Sequence, residues 1–447
     1  MRDRFLWIGC AVYAALFASL GTIKYDVHRN LVDFGIFAQT AASAFGCFCN
    51  PIEGSHWSFH FSPILYVAGA AVTLVHSPLT LVALQAIAGA LVAPPVYALV
   101  RQARNDVTAA RLAAVAAWLY PPLAGLIFGD FHENGFAPAA VAWTLYAFES
   151  GSIVGTIAGA IVTLSIKEDQ AIFLAIAGAL GAWKYRGTER GFVAGAIAVA
   201  SVLVFAAFFA IIQPHAASAS ALPWQPLRFY AWSGAGALPL FGGVLARLGF
   251  IVLAFAPLLF LPFRSAAMWL AAAPLAEVLL SRMPATFTMG SHYAGAWIGY
   301  VAFAFALALR KIAPSRLRAI LVACIALSLV ELAVADPLHP RLNLRPIQQR
   351  DVDLDAFLQS LPRGLSLATQ EEAYTHLALR EPLARLLPES ASQITQACFV
   401  LLDFDYPDSA RLQEYGNGFA RLAADRRYVL IVRRQGVALY RRLGACR

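Results

Sequence analysis

Apolar positions along this chain come in long runs separated by short polar stretches. The runs fall at residues 5–23, 61–77, 79–100, 110–127, 135–149, 152–166, 170–184, 191–213, 244–262, 265–281, 292–309 and 317–336. Each predicts an apolar helix, and several approach the roughly 20 residues that a perpendicular bilayer crossing needs. The first run follows Met-Arg-Asp-Arg and is longer than the apolar part of a cleaved signal peptide, so it predicts an uncleaved helix with its N-terminus inside. From residue 337 the pattern changes. Short β-type runs at 365–368, 398–402, 428–432 and 437–440 alternate with helical stretches at 351–361 and 409–424, and Gln435-Gly436 marks a hairpin turn. The predicted fold is an all-α polytopic membrane domain over residues 1–336 with a small C-terminal α/β domain over 337–447.

Composition agrees with this division. The chain is 60% hydrophobic and 13% charged, with a mean hydropathy of +0.64, against about 25% charged in a soluble domain. An ordinary cytoplasmic enzyme is thereby excluded. Residues 337–447 hold 27 of the charges, whereas the first 336 residues hold 33. The net charge of +8 belongs to cytoplasmic loops and not to nucleic-acid binding, because no basic run is interleaved with aromatics. The six cysteines give neither a zinc pattern nor a disulfide framework; Cys47 and Cys49 stand one residue apart, and a Cys398–Cys446 pair stays open.

Basic clusters at Arg101/Arg104/Arg111, Lys184/Arg186/Arg190, Arg264 and Arg310/Lys311/Arg316/Arg318 fix the orientation. All of them lie inside with the N-terminus if 61–77 is re-entrant and does not cross. This gives about eleven crossings and an extracytoplasmic C-terminal domain. The outward segments then contain Asp26, Asp33, His60, Asp130, His132, Glu133, Lys167, Glu168, Asp169, Arg228, Arg282 and His292. So many ionisable groups at the ends of apolar helices predict a polar cavity at the outer surface, although each alone also reads as a helix end in the headgroup region. Residues 33–45 have the spacing of an amphipathic interfacial helix that starts at Asp33.

Five short motifs then occur in order: Asp33-Phe-Gly-Ile-Phe-Ala-Gln39, His60-Phe-Ser-Pro63, Asp130-Phe-His-Glu133, Lys167-Glu-Asp169 and Ser291-His-Tyr293. Together they resemble the bacterial membrane proteins grouped as domain of unknown function 2079, over nearly the whole chain. That family is similar in architecture to the GT-C glycosyltransferases, polytopic enzymes that take sugars from polyprenyl-phosphate carriers. Three departures stand out: Val32 precedes Asp33; Ala38 replaces a second acid, which leaves one carboxylate on that helix; and His132-Glu133 stands where His-Pro-Glu is more usual.

The resemblance implies a bacterial inner-membrane enzyme. It would move a sugar, with inversion, from a polyprenyl-phosphate donor to an extracytoplasmic glycan, lipid or protein acceptor. Asp33 matches the position of the catalytic acid of GT-C enzymes. Such transfer needs a base for the acceptor hydroxyl and groups that stabilise a departing phosphate. Lys167, Arg228 and Arg282 are candidates for the phosphate, with an ion pair to Glu168 or Asp169 as the plain structural role of Lys167. His60, Asp130, His132, Glu133, Glu168, His292 and Tyr293 complete the candidate substrate-binding set. Asp130, His132, Glu133 and His292 also have ligand types for a divalent metal, and equally suit polar helix ends that orient a sugar. Two other classes stay open: a non-catalytic assembly partner, and a lipid or solute transporter. The outward concentration of polar groups argues against a transporter, whose site lies near mid-membrane.

Overall fold

The computed structural model describes residues 3–217, 229–230, 237–339, 343–380, 384–386, 397–404, 425–434 and 436–444. The helix expected at 409–424, the candidate Arg228 and Cys446 lie outside the described residues.

The chain opens with α1 (Arg4–Asp26), which Asp3 caps by accepting from the Phe5 N–H. After it come α2 (Val32–Ala42) and the two-residue strands β1 (Cys49–Asn50) and β2 (Gly54–Ser55), paired antiparallel. The next helices are α3 (Leu65–Val75), α4 (Leu79–Ala90), α5 (Ala93–Arg104), α6 (Val107–Trp118) and α7 (Pro121–Phe128). They continue with α8 (Ala137–Ser150), α9 (Ile153–Leu164), α10 (Glu168–Lys184), α11 (Glu189–Ala207) and α12 (Gln213–Ala217). The helical part closes with α13 (Ala237–Phe255), α14 (Ala272–Leu280), α15 (Gly295–Leu309) and α16 (Pro314–Val334).

Length sorts these helices. Among the described residues, five stretches are long and apolar enough to cross a membrane: 4–26, 79–104, 189–217, 292–309 and 314–334. The pair 107–118 and 121–128, bent by 48° at the break, makes a sixth. Helices α8, α9 and α10, with 14, 12 and 17 residues, fall below that length. Among the described residues, five or six helices thus have span length. α3 has 11 residues and ends at His76 in a left-handed turn, too short to cross. The run at 265–281 is broken as well: a 3-10 stretch over 266–271 leads into a nine-residue α14. Before it, Leu259 and Phe260 take left-handed conformations beside Pro257 and Pro262, where proline removes the helical N–H donor.

α15 sits at the centre. It is apolar on every side and buried nearly throughout, with Trp297 and Tyr300 fully enclosed, as expected of a core helix. The alanines of α6 let its neighbours approach closely. Helices α9 and α11 instead expose Val154, Ile161, Phe192 and Leu203, the faces that lipid covers. At one end of the bundle the basic clusters are tied together. Arg111 pairs with Asp3 at 2.9 Å, Arg318 with Asp106 at 3.1 Å and Arg310 with Glu149 at 2.8 Å. Lys311 donates to the Arg264 carbonyl at 2.9 Å, and Arg104 bonds the carbonyls of Arg310 and Ile312.

After α16 come α17 (Gln349–Ser360), β3 (Leu367–Thr369), α18 (Glu371–Leu377), β4 (Arg385–Leu386), β5 (Phe399–Asp403), β6 (Tyr428–Arg434) and β7 (Val437–Arg442). The sheet order is β4-β3-β5-β7-β6, with β3 parallel to β4 and β5, and β7 antiparallel to both β5 and β6. Gly436, at φ +83°, makes the hairpin turn. This layer shares a core with α2: Ile36 packs among Leu354, Phe357, Leu367 and Tyr374. The other side of α2, through Phe34, Phe37 and Ala38, packs on Leu65, Ala68 and Phe131. α2 is thus buried from Phe34 through Ala41, covered on one side by the C-terminal layer.

Candidate active site

The loop after α1 carries His28 to Leu31 into the start of α2. The Leu31 N–H, free of any intrahelical partner, donates to Asp130 Oδ2 at 2.6 Å. Asp130 Oδ1 also takes Lys24 Nζ at 2.7 Å and Asn30 Nδ2 at 3.0 Å. Asp130 therefore helps position the first turn of α2. Its loop is held in turn by Gln85 on α4. Gln85 Nε2 donates to carbonyls including that of Ile127 at 3.1 Å, and its Oε1 accepts the His132 N–H at 3.1 Å. Gly35 completes the fit, since a Cβ there would meet the Tyr374 ring at 2.3 Å.

Asp33 stands in the first turn of α2 with its carboxylate 40% exposed, and Oδ2 lies 3.7 Å from His292 Nδ1. The protein mass around it, then the charges of Asp130, Glu53 and Glu133, push its carboxyl up to about 7. The His292 ring stacks on that of His132 at 3.9 Å, and Phe37 meets His132 edge-on at 4.7 Å. Behind them, His132 Nδ1 lies 2.9 Å from Glu133. Glu133 is fully buried, with the His132 contact on Oε2 and no hydrogen-bond partner on Oε1. Burial pushes its carboxyl up, but the charges of His132, His60 and Lys167 prevail and hold it below the usual carboxylate range. An ionised, under-bonded carboxylate thus backs the histidine pair.

Lys167 ends the stretch before α10. Its Nζ lies 3.6 Å from Asp169 and 5.9 Å from the Tyr293 ring centre. Glu168 is engaged elsewhere, accepting from the Phe61 N–H at 2.9 Å and meeting His60 Nδ1 at 2.8 Å. Lys167 and Tyr293 line a cavity of about 390 Å³ whose other walls include Ile172, Phe173, Phe205, Phe209 and Leu280. Asp33 lies outside this lining and is connected to it through the adjacent residues His292 and Tyr293. Arg282 is exposed between Ser281 and Met283, which line the cavity, and its N–H donates to the Phe229 carbonyl at 2.7 Å.

The structure thus brings Asp33, His132, Glu133 and His292 into one contiguous group, with Lys167 and Tyr293 beside it and His60 tied to Glu168. Asp130 already accepts from three donors, and Asp130, His132, Glu133 and His292 are not among the described groups whose ligand atoms converge. Two participants escaped the sequence reading. Gln85 and Glu277, which also lines the cavity, interrupt apolar runs, and such polar interruptions were the signal available. Cys47 and Cys49, which the sequence assigned to no framework, form a disulfide in the loop after α2.

The family model described as Predicted membrane protein (DUF2079) matches residues 28–439. The chain belongs to this family. No curated protein matches it. Among solved structures, it is similar to ArnT from Cupriavidus metallidurans bound to undecaprenyl phosphate, with a TM-score of 0.56 at 14% identity over 98% of each chain. The apo state of that protein gives a TM-score of 0.57 at 13% identity, over 96% of this chain and 98% of that one. The Archaeoglobus fulgidus oligosaccharyltransferase complex with Zn and sulfate gives 0.39 at 16% identity, over 94% of this chain and 69% of that one. The DUF2079 chain therefore has the GT-C fold that its motifs suggest.

Proposed function

We propose that this protein is an integral membrane glycosyltransferase that moves a sugar from a polyprenyl-phosphate donor to an extracytoplasmic acceptor. The observation that carries the reading is Asp33, a half-exposed carboxylate pushed up to about 7. It stands beside a histidine pair and near a mostly apolar cavity lined by Lys167 together with Glu168, Asp169 and Glu277. A base with that affinity for protons is half ionised at neutral pH, where general-base catalysis is efficient. Asp33 takes the proton of the acceptor hydroxyl as that oxygen attacks the anomeric carbon and the phosphate departs with the bonding electrons. His292, 3.7 Å away, orients the Asp33 carboxylate, and the stacked His132 holds His292 in place.

Lys167 and Tyr293 suit the donor phosphate, as a point charge and a hydroxyl, while the phenylalanine-lined cavity suits the first isoprene units. For this, Asp169 must release Lys167 to the phosphate. The fold shared with an undecaprenyl-phosphate-bound ArnT supports a lipid carrier of this class. The network joining the basic clusters to the N-terminus supports placing that end in the cytoplasm. The Cys47–Cys49 disulfide supports placing the loop after α2, and with it residues 337–447, in an oxidising extracytoplasmic compartment. In a bacterium this is the inner membrane.

The test is transfer of labelled sugar from polyprenyl-phosphate donors by the purified protein, with Asp33→Asn as control. Transfer by wild type and its loss in the variant are expected. An inactive wild type, with Asp33→Asn still complementing a deletion strain, would point to an assembly partner instead.

A further inference from the structure

Away from Asp33, the junction between α1 and the C-terminal layer holds a second cluster. His28 has a φ of +56°, a left-handed conformation uncommon for a residue with a Cβ. The turn places its ring beneath α17 and α18 with 1% of the side chain exposed. His28 Nε2 lies 3.1 Å from Asp355 Oδ1, and His376 Nδ1 lies 2.9 Å from the same oxygen. The two rings stack at 3.9 Å, and the three ligand atoms all lie within 4.8 Å of one another.

Proton placement is awkward here. His376 Nε2 faces the Tyr25 carbonyl at 3.0 Å and must donate to it, so a neutral His376 points its Nδ1 lone pair at a carboxylate oxygen. The contact repels unless a positive charge stands between them. Protonating His376 removes the repulsion but stacks an imidazolium on His28. One divalent cation also satisfies all three atoms at once. Zinc bonds of about 2.0–2.1 Å at tetrahedral angles set neighbouring ligand atoms about 3.3 Å apart, close to the separations from Asp355. The outer partners suit a metal as well. His376 bonds a backbone carbonyl, and His28 Nδ1, buried and without a hydrogen bond, lies 3.8 Å from Asp351.

We propose that His28, Asp355 and His376 form a structural zinc site, with water in the fourth position on the side where Asp355 is 38% exposed. Nitrogen and oxygen ligands in a tetrahedral set favour zinc over magnesium or calcium. The ion clamps the end of α1 to α17 and α18, two residues before Asn30 and the Asp130 network that sets the first turn of α2. It takes no part in the transfer itself, so the site stands or falls apart from the proposed reaction.

The test uses the full chain in detergent, stripped with EDTA and titrated with zinc chloride against a chromophoric chelator. One tight site per chain is expected, lost in His376→Gln and Asp355→Asn but kept in His132→Gln. X-ray absorption of the zinc-loaded wild type should show two imidazoles with oxygen ligands, a readout independent of how the variants fold. Absence of stoichiometric zinc from the wild type would overturn the proposal. So would sulfur in the coordination shell, retention of the site in both ligand variants, or its loss in His132→Gln.

Discussion

In the proposed reaction Asp33 is a base only when unprotonated, and its carboxyl is pushed up to about 7. kcat/KM should therefore rise with pH and level off above an inflection near neutrality, because the free enzyme must lose that proton before it can accept another. Initial rates between about pH 5.5 and 8.5 check this, and a profile that falls through that window would contradict the role. Lys167→Ala should chiefly weaken donor binding, since a phosphate contact exists in ground and transition states alike. A donor-binding isotherm with unchanged Kd would remove Lys167 from the phosphate site. The sequence exposes Asp33, His132, Lys167 and His292 because charged or titratable groups at the ends of apolar helices are expensive without a purpose. It does not expose the positioning role of Asp130, whose partner Lys24 lies 106 positions away. Burial of that pair is a property of the fold alone.

α4 and α7 hold the site through backbone groups, which places Gln85 among the positioning residues. Gln85→Leu leaves the His132 N–H and several carbonyls without their partner, at a cost of about 1–3 kcal/mol for a buried unsatisfied group. A lower thermal midpoint in detergent and reduced activity are expected; an unchanged midpoint would show that water replaces the amide fully. The apolar runs predicted the long helices α1, α11, α15 and α16 well, since each is a continuous run of span length. They failed over 244–281, where the helix breaks beside Pro257 and Pro262 and a 3-10 stretch over 266–271 precedes α14, none of which lowers hydropathy. The spacing of α2 is amphipathic, and its Gln39 accepts from the Tyr374 hydroxyl at 2.7 Å. That partner lies 335 positions away, beyond any local periodicity.

At the scale of the whole molecule, the C-terminal layer shares a core with α2 and is tethered to the end of α1. Hydropathy marked the change of pattern near residue 337; the packing of that layer onto Ile36 depends on the tertiary fold. Reporter fusions at Asn343 and Arg316 should lie on opposite sides of the membrane, with Asn343 outside. Identical sides would undo the orientation and the extracytoplasmic acceptor with it. Chemistry is tested most directly by incubating purified protein with labelled polyprenyl-phosphate sugars and native membrane acceptors, comparing wild type with Asp33→Asn at equal expression. Asp33→Asn keeps size and polarity but cannot take a proton, so transfer should fall by roughly 10²–10⁴-fold. Equal transfer by the two proteins would contradict a general base at Asp33.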